Sequence, residues 1–152
     1  ALKMCHQEPY GDWKKLNINA MREKTLEAIS AFDIKTPGPD VTISTLSGGN
    51  QQKLVMAKEL SMNPKLLLAA QPTRGLDVGA AEYVHSRLLD ARDQGMAILL
   101  LSTELEEVLS LSDRIIVMFE GKIMGTLNAE EASREKVGLM MAGTRFEDIG
   151  ES

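Results

Sequence analysis

Apolar side chains at Met21, Leu26, Ile29 and Phe32, helped by Ala28, recur near helical spacing, and this predicts an amphipathic helix with Asn19 as its N-cap. Pro37-Gly38-Pro39 then breaks the chain into a loop. Leu46-Ser47-Gly48-Gly49 leads into a second helix running to about Met62, where Asn63-Pro64 stops it. From there the pattern changes to strand and helix in alternation. The apolar run 66–70 predicts a buried strand over 65–70, as does the run 96–101. Between them lies a helix from Val78 to about Gln94, with Ala81, Val84, Leu88 and Ala91 facing inward and Gly95 ending it. A short helix over 104–110 and a third strand over 114–119 follow; Glu120-Gly121 then turns the chain into a hairpin partner over 122–127. Asn128 with Glu131 makes a capping-box-like start for closing helices that run to about Met141. Strands separated by helices imply an α/β fold with a mainly parallel sheet, and the all-helical first third stands as a separate subdomain. There is no internal repeat.

Composition narrows the function classes. A chain of 152 residues, 43% hydrophobic and 26% charged, has the make-up of one soluble globular domain, or of a domain with a smaller appendage. The net charge of −5 is spread without a basic run, which argues against nucleic acid or anionic lipid as the direct partner. No apolar stretch approaches the roughly 18 to 20 residues of a membrane span. Cys5 is the only cysteine, so no internal disulfide forms, and without a secretion signal a reducing cytoplasm is the default. Cys5 and His6 are adjacent, but no second Cys or His pair completes a metal site. The nine methionines are assigned to core and flexible packing, and His85 to a surface or core-edge position. Tyr10 and Trp13 are expected to pack the helical subdomain. The chain opens with Ala-Leu-Lys rather than Met, which suggests a fragment.

The strongest chemistry lies at residues 46–53, LSGGNQQK. Ser47 is placed to cap a helix, and Gly48 and Gly49 remove side chains so that backbone N–H groups can approach an anion. The positive end of the following helix favours a negative group by roughly 0.3 to 1 kcal/mol. Phosphate at a glycine-rich helix start needs no further device. A bare Ser-Gly-Gly is equally consistent with a plain capped helix, so the downstream residues decide.

Those residues, LSGGNQQKLVMAKELSMNPKLLLAAQPTRGLDVGA over 46–80, resemble the signature-to-D-loop stretch of ABC ATPases, in the spelling used by simple-sugar and nucleoside importers. The AAQPTRGLDVGA segment is most similar to the second ATPase half of nucleoside-type importers, whose ATP-binding subunit carries two halves in one polypeptide. The resemblance implies a partial P-loop NTPase (ABC ATPase) core with a mainly parallel sheet plus an α-helical signature subdomain. The implied division is 1–62 for the helical subdomain, 63–128 for the C-terminal part of the RecA-like core, and 129–152 for closing helices and tail. It also implies that Ser47, Gly48, Gly49, Asn50 and Gln51 meet the γ-phosphate of an ATP held by the other half, and that Asp77 is the D-loop aspartate crossing that interface.

The family pattern fails at the catalytic centre. In the family the first strand ends in an Asp that holds magnesium through water and a Glu that positions the attacking water; here those positions are Ala70 and Gln71. Alanine offers no oxygen to a hard cation. Glutamine cannot accept a proton, and general-base assistance contributes roughly 10²- to 10⁴-fold. Where the family usually has a His on the γ-phosphate, the chain has Thr103. Three losses beside an intact signature imply a half that has given up chemistry. The phosphate loop, G-x-x-x-x-G-K-[ST], is not in the sequence.

The expected role is therefore half of an ATP-binding subunit of a bacterial ABC importer. ATP and magnesium belong to the full-length protein, and none is expected on this chain alone. The expected partners are the other ATPase half of the same polypeptide, transmembrane permease subunits and, indirectly, an extracytoplasmic solute-binding protein, at the cytoplasmic face of the membrane. A non-catalytic dimerisation and membrane-subunit-binding module is the alternative. A soluble ABC ATPase of DNA repair or translation is disfavoured, because no coiled coil, zinc module or basic linker adjoins the signature. Because the resemblance puts the phosphate-loop strand between the strands at 96–101 and 114–119, these two are expected either to pair directly or to pair with a second copy.

Overall fold

The computed structural model describes residues 17–150, so the readings at Cys5, His6, Tyr10 and Trp13 lie outside the described residues. The elements are α1 (Ile18–Ala31), α2 (Gly48–Leu60), β1 (Leu66–Ala70), α3 (Val78–Asp93), β2 (Ala97–Leu101), α4 (Leu105–Leu111), β3 (Arg114–Phe119), β4 (Lys122–Asn128) and α5 (Arg134–Met141), with 3₁₀ turns at Ile43–Thr45, Ala129–Glu131 and Phe146–Gly150. Two compact units result: one takes the chain up to Leu67 together with Pro72–Ala97, the other Leu68–Gln71 together with the chain from Ile98 onward. Among the described residues no helix is long and apolar enough to cross a membrane.

In the first unit, α1 packs on α2 and α2 on α3. Its buried residues are Ile34, Met56, Ala57, Val84, Leu88 and Ala91. Three of the four α3 positions expected to face inward are therefore buried, while Ala81, in the first turn, is only half-buried. The cap of α1 is Asn17 rather than Asn19: its side chain accepts from the Ala20 N–H at 3.0 Å. In Asn-Ile-Asn either Asn could cap by composition, and the helix starts two residues earlier than the apolar spacing indicates.

β1 and β2 form one two-stranded sheet. At one end the Ala97 N–H donates to the Lys65 carbonyl (3.0 Å), and at the other the Gln71 N–H donates to the Leu101 carbonyl (2.7 Å). The partners advance together along both strands, so the pair is parallel, as a connection through a helix requires. Both strands were expected to be buried, but alternate residues of β1 and β2, among them Leu68, Leu99 and Leu101, are exposed.

β3 and β4 form an antiparallel hairpin. Glu120 (φ +46°) and Gly121 (φ +74°) are both left-handed, the combination that a two-residue hairpin turn demands. One face of the hairpin, with Ile115, Val117, Met124 and Leu127, joins Val137 and Met140 of α5 in the core of the second unit. A Cβ at Gly125 would stand 2.6 Å from both Met140 Cε and Phe146 Cβ, so only glycine lets the chain after α5 lie against β4. The capping box forms as read, Asn128 with Glu131, but it opens a 3₁₀ turn; α5 has its own cap in Ser133.

Direct closure of β2 on β3 does not occur: β2 bonds to β1, and β3 bonds to β4. The chain between them explains why. Leu105, Val108 and Leu109 of α4 pack against the hairpin's buried face, and β3 finds a partner locally across a tight turn.

Candidate functional site

The start of α2 is where the first unit concentrates unusual geometry. Ser47 adopts an extended conformation, and its hydroxyl oxygen accepts from the Asn50 backbone N–H at 3.4 Å and from Asn50 Nδ2 at 2.9 Å. Asn50 Oδ1 in turn accepts from the Lys35 backbone N–H at 2.7 Å. Gln51 Nε2 donates back to the Leu46 carbonyl at 2.9 Å, tying the helix to the residue before its cap. Ser47 and Gly48 are exposed. A Cβ at Gly48 would meet nothing within 4 Å, whereas one at Gly49 would come 3.0 Å from the Ala80 Cβ. The two glycines thus differ in their surroundings: Gly48 faces open space and Gly49 permits close approach of α3.

Asp77 caps α3, its carboxylate accepting from the Ala80 N–H at 2.9 Å. The residue that Asp77 caps is the one Gly49 lies against, so the start of α2 and the start of α3 adjoin in this unit. Farther along, Lys53 of α2 donates to the Asp33 carbonyl (2.9 Å) and lies 3.4 Å from Asp33 Oδ2. Its Nζ also lies over the Tyr83 ring of α3, and the Tyr83 hydroxyl donates to the Phe32 carbonyl at 2.9 Å. Asp33 itself is left-handed, with φ +46°. Hydrogen bonds from Lys35 and then Lys53 hold the Asp33 carboxyl below the ordinary carboxylate range. Burial raises the Tyr83 hydroxyl above its ordinary value.

Lys35, Lys53, Ala80 and Tyr83 were not singled out in the sequence. Their roles depend on pairings across 15 to 51 residues, such as Lys35 with Asn50 and Phe32 with Tyr83, which periodicity does not encode.

Ala70, Gln71 and Thr103 lie in the second unit. Gln71 ends β1 in the left-handed region, φ +49°, an uncommon state for a non-glycine residue. Its backbone N–H is fixed to Leu101, and its Oε1 accepts from Thr103 Oγ1 at 3.4 Å. Gln71 and Thr103 are therefore brought together as a neutral pair, and Ala70 contributes only a methyl group beside them. Among the described residues no group of three His, Cys, Asp or Glu side chains could hold a metal ion. These residues do not fit magnesium.

No protein-family profile matches the chain. It is 46% identical over 151 residues to the guanosine import ATP-binding protein NupO of Bacillus subtilis, an alignment that covers 99% of this chain and 30% of that protein. It is 49% identical over 128 residues to the ribose import ATP-binding protein RbsA of Caldanaerobacter subterraneus subsp. tengcongensis, covering 83% of this chain and 26% of that one. The chain thus spans less than a third of the length of these relatives. Among solved structures, a nucleotide-free ATP-binding cassette from an ABC transporter superposes with a TM-score of 0.66 at 23% identity, over 93% of this chain and 53% of that chain. That likeness shows the fold: the mixed α/β architecture, with parallel strands and a helical subdomain, of the ABC-type P-loop ATPases.

Proposed function

We propose that this chain, an ABC-transporter nucleotide-binding region related to nucleoside- and sugar-import ATPases, serves its transporter by presenting Ser47, Gly48 and Gly49 to the γ-phosphate of an ATP held elsewhere. In the whole protein the ATP would rest on the phosphate loop of a second ATPase half of the same polypeptide. Asn50, Gln51 and Asp77 belong to the same surface, which crosses the interface between halves. The carrying observation is the start of α2: a serine hydroxyl whose oxygen already accepts twice, beside a glycine with open space where a side chain would be. An acceptor-only anion fits there. The hydroxyl donates, the Gly48 and Gly49 backbone N–H groups have no acceptor within the helix, and the helix end favours negative charge.

ATP would supply the phosphoanhydride that an attacking water cleaves, and this chain's part would be to donate hydrogen bonds to the terminal phosphate from Ser47 and the start of α2. Its own catalytic centre is degenerate. Gln71 can orient a water but cannot take its proton, Thr103 can never be cationic, and Ala70 offers no oxygen, so no hydrolytic step is assigned to this centre. The names of the relatives favour a nucleoside or a simple sugar as the imported solute; permease subunits in the membrane and an extracytoplasmic binding protein that delivers the solute belong to the same proposal. The chain then works as a peripheral component on the cytoplasmic face. The domain reading is a helical signature subdomain, a C-terminal core portion and closing helices.

Substituting Ser47→Arg in the full-length protein tests this reading. The long cation fills the space at Gly48, and both ATP hydrolysis and solute uptake are expected to collapse. Unchanged hydrolysis and uptake would instead support a non-catalytic module that only dimerises and grips the membrane subunits.

A further inference from the structure

Asn50 has one amide oxygen and two amide N–H donors, and its orientation follows from its neighbours. The Lys35 backbone N–H can only donate, so the atom 2.7 Å from it must be Oδ1. Nδ2 therefore faces Ser47 Oγ, at 2.9 Å, and donates to it. The Asn50 backbone N–H donates to the same oxygen at 3.4 Å. A serine hydroxyl has two lone pairs and one hydrogen. With both lone pairs engaged by α2, the remaining capacity of Ser47 is its O–H hydrogen, which must point away from the helix as a donor.

We propose that Asn50 is a positioning residue: it sets Ser47 as a hydrogen-bond donor, and it ties that setting to the loop after α1 through Lys35. The proposal rests on the reading that Ser47 meets a phosphate oxygen. It assigns Asn50 a different part from the neighbouring glycines, because its Oδ1 is held by Lys35 and one of its two Nδ2 hydrogens by Ser47. The Lys35 end belongs to a braced segment, with Lys53 holding the Asp33 carbonyl and the Tyr83 hydroxyl holding the Phe32 carbonyl. A shift of that segment would release Asn50 and let the Ser47 hydroxyl rotate, so the donor can be set or unset from the helical subdomain.

The test is a double-mutant cycle on kcat/KM for ATP in the full-length protein, using Ser47→Ala, Asn50→Ala and the double variant. Asn50→Ala is expected to lower kcat/KM by about three- to thirtyfold, and to change nothing further once Ser47→Ala is present. Equal, independent losses in both backgrounds would overturn the proposal, since a merely structural asparagine would act whether or not Ser47 has a hydroxyl. If Asn50→Ala does not fold, Asn50→Asp serves: its carboxylate still accepts from Lys35 but must accept from Ser47 too, capturing the hydroxyl proton. It is expected to lose at least as much activity as Ser47→Ala, and full activity in Asn50→Asp would overturn the proposal. A Ser47→Ala variant with full activity would defeat the underlying phosphate reading itself, an outcome separate from the others.

Discussion

Lys53 Nζ sits 4.3 Å from the centroid of the Tyr83 ring, which places a cation of the signature helix on an aromatic side chain of the helix that Asp77 caps. The same ammonium group donates to the Asp33 carbonyl, and Tyr83 donates to the neighbouring Phe32 carbonyl. Two helices and the loop after α1 are thereby held by one small cluster. The cluster thus ties α2 and α3 to the same turn after α1.

Lys53→Ala is expected to destabilise the chain by about 1 kcal/mol, from the loss of a hydrogen bond to the exposed Asp33 carbonyl and of a partly screened cation–π contact. The Lys53 side chain is only 15% exposed, so its stem is also packed. Lys53→Met, which keeps the stem, should recover part of the loss. Urea unfolding measures it, and a midpoint unchanged by Lys53→Ala would show that the cluster is ornamental to stability.

Tyr83 gives the cluster a pH signature. Burial, reinforced by the Asp33 charge and opposed by Arg87, raises its hydroxyl above the ordinary value of 10.0. A group with a raised folded pKa contributes stability that is fully present below its unfolded pKa and is lost as pH rises through the folded one. Stability should therefore fall as pH climbs past about 10. Tyr83→Phe should be less stable at neutral pH by about 1 kcal/mol, through the lost bond to Phe32, but flatter over that alkaline range. Asp33 acts at the other end. Its depressed carboxyl contributes above the ordinary 3.8, and the contribution is lost as pH falls through the lower folded value. Parallel alkaline curves for the wild type and Tyr83→Phe would exclude Tyr83 as the titrating group.

Much of this arrangement was legible in the sequence because its signals are local. The Ser47 cap, the Glu120-Gly121 turn and the Asn128/Glu131 box each need only a few consecutive residues, and each is found where it was read. The Ser133 cap was equally local but was masked by the capping box just before it. What the sequence could not disclose is which polar side chains meet across the helices. The pairing of the Asn50 amide with Lys35 and Ser47 is one such contact, and nothing local in the signature stretch encodes it. Continuous apolar runs at β1 and β2 signalled burial on both faces, whereas alternate residues of each strand are exposed.

The two signature glycines should respond differently to alanine. Gly48→Ala meets nothing within 4 Å in the first turn of a helix, so stability should rise by about 0.5 to 1 kcal/mol. ATP hydrolysis by the full-length protein should nevertheless fall, because the new methyl group occupies the space offered to phosphate. Gly49→Ala gains the same helical preference but presses on Ala80 at 3.0 Å, so its net stability should be lower than that of Gly48→Ala. The reverse order of stability in thermal melts would refute this division of roles.

This chain by itself should bind Mg-ATP no more tightly than the millimolar range. The surface at Ser47 supplies a handful of donors to one phosphate, and Ala70, Gln71 and Thr103 fit no magnesium. Titration calorimetry is the direct measurement. A micromolar Kd for the isolated chain would mean that it holds nucleotide through residues other than those assigned here.

The second unit leaves apolar surface and strand edges open together, and that combination has a predictable outcome. Leu68 is 61% exposed and Leu99 53% on the parallel pair, while Met118 is 63% and Ile123 61% exposed on the hairpin. Among the described residues β2 pairs with β1 and β3 with β4, so each strand also presents an edge with no strand partner. Edges of this kind, long enough to pair and flanked by apolar side chains, template association with another chain. The isolated chain should therefore self-associate with increasing concentration, which analytical ultracentrifugation would show as a rising average mass. Leu99→Lys and Met118→Lys put a charge on each exposed face without disturbing the buried one. Both should shift the equilibrium toward monomer, and each should change unfolding stability by no more than about 0.5 kcal/mol. A chain that stays monomeric at high concentration without these charges would show that the open faces are tolerated by solvent.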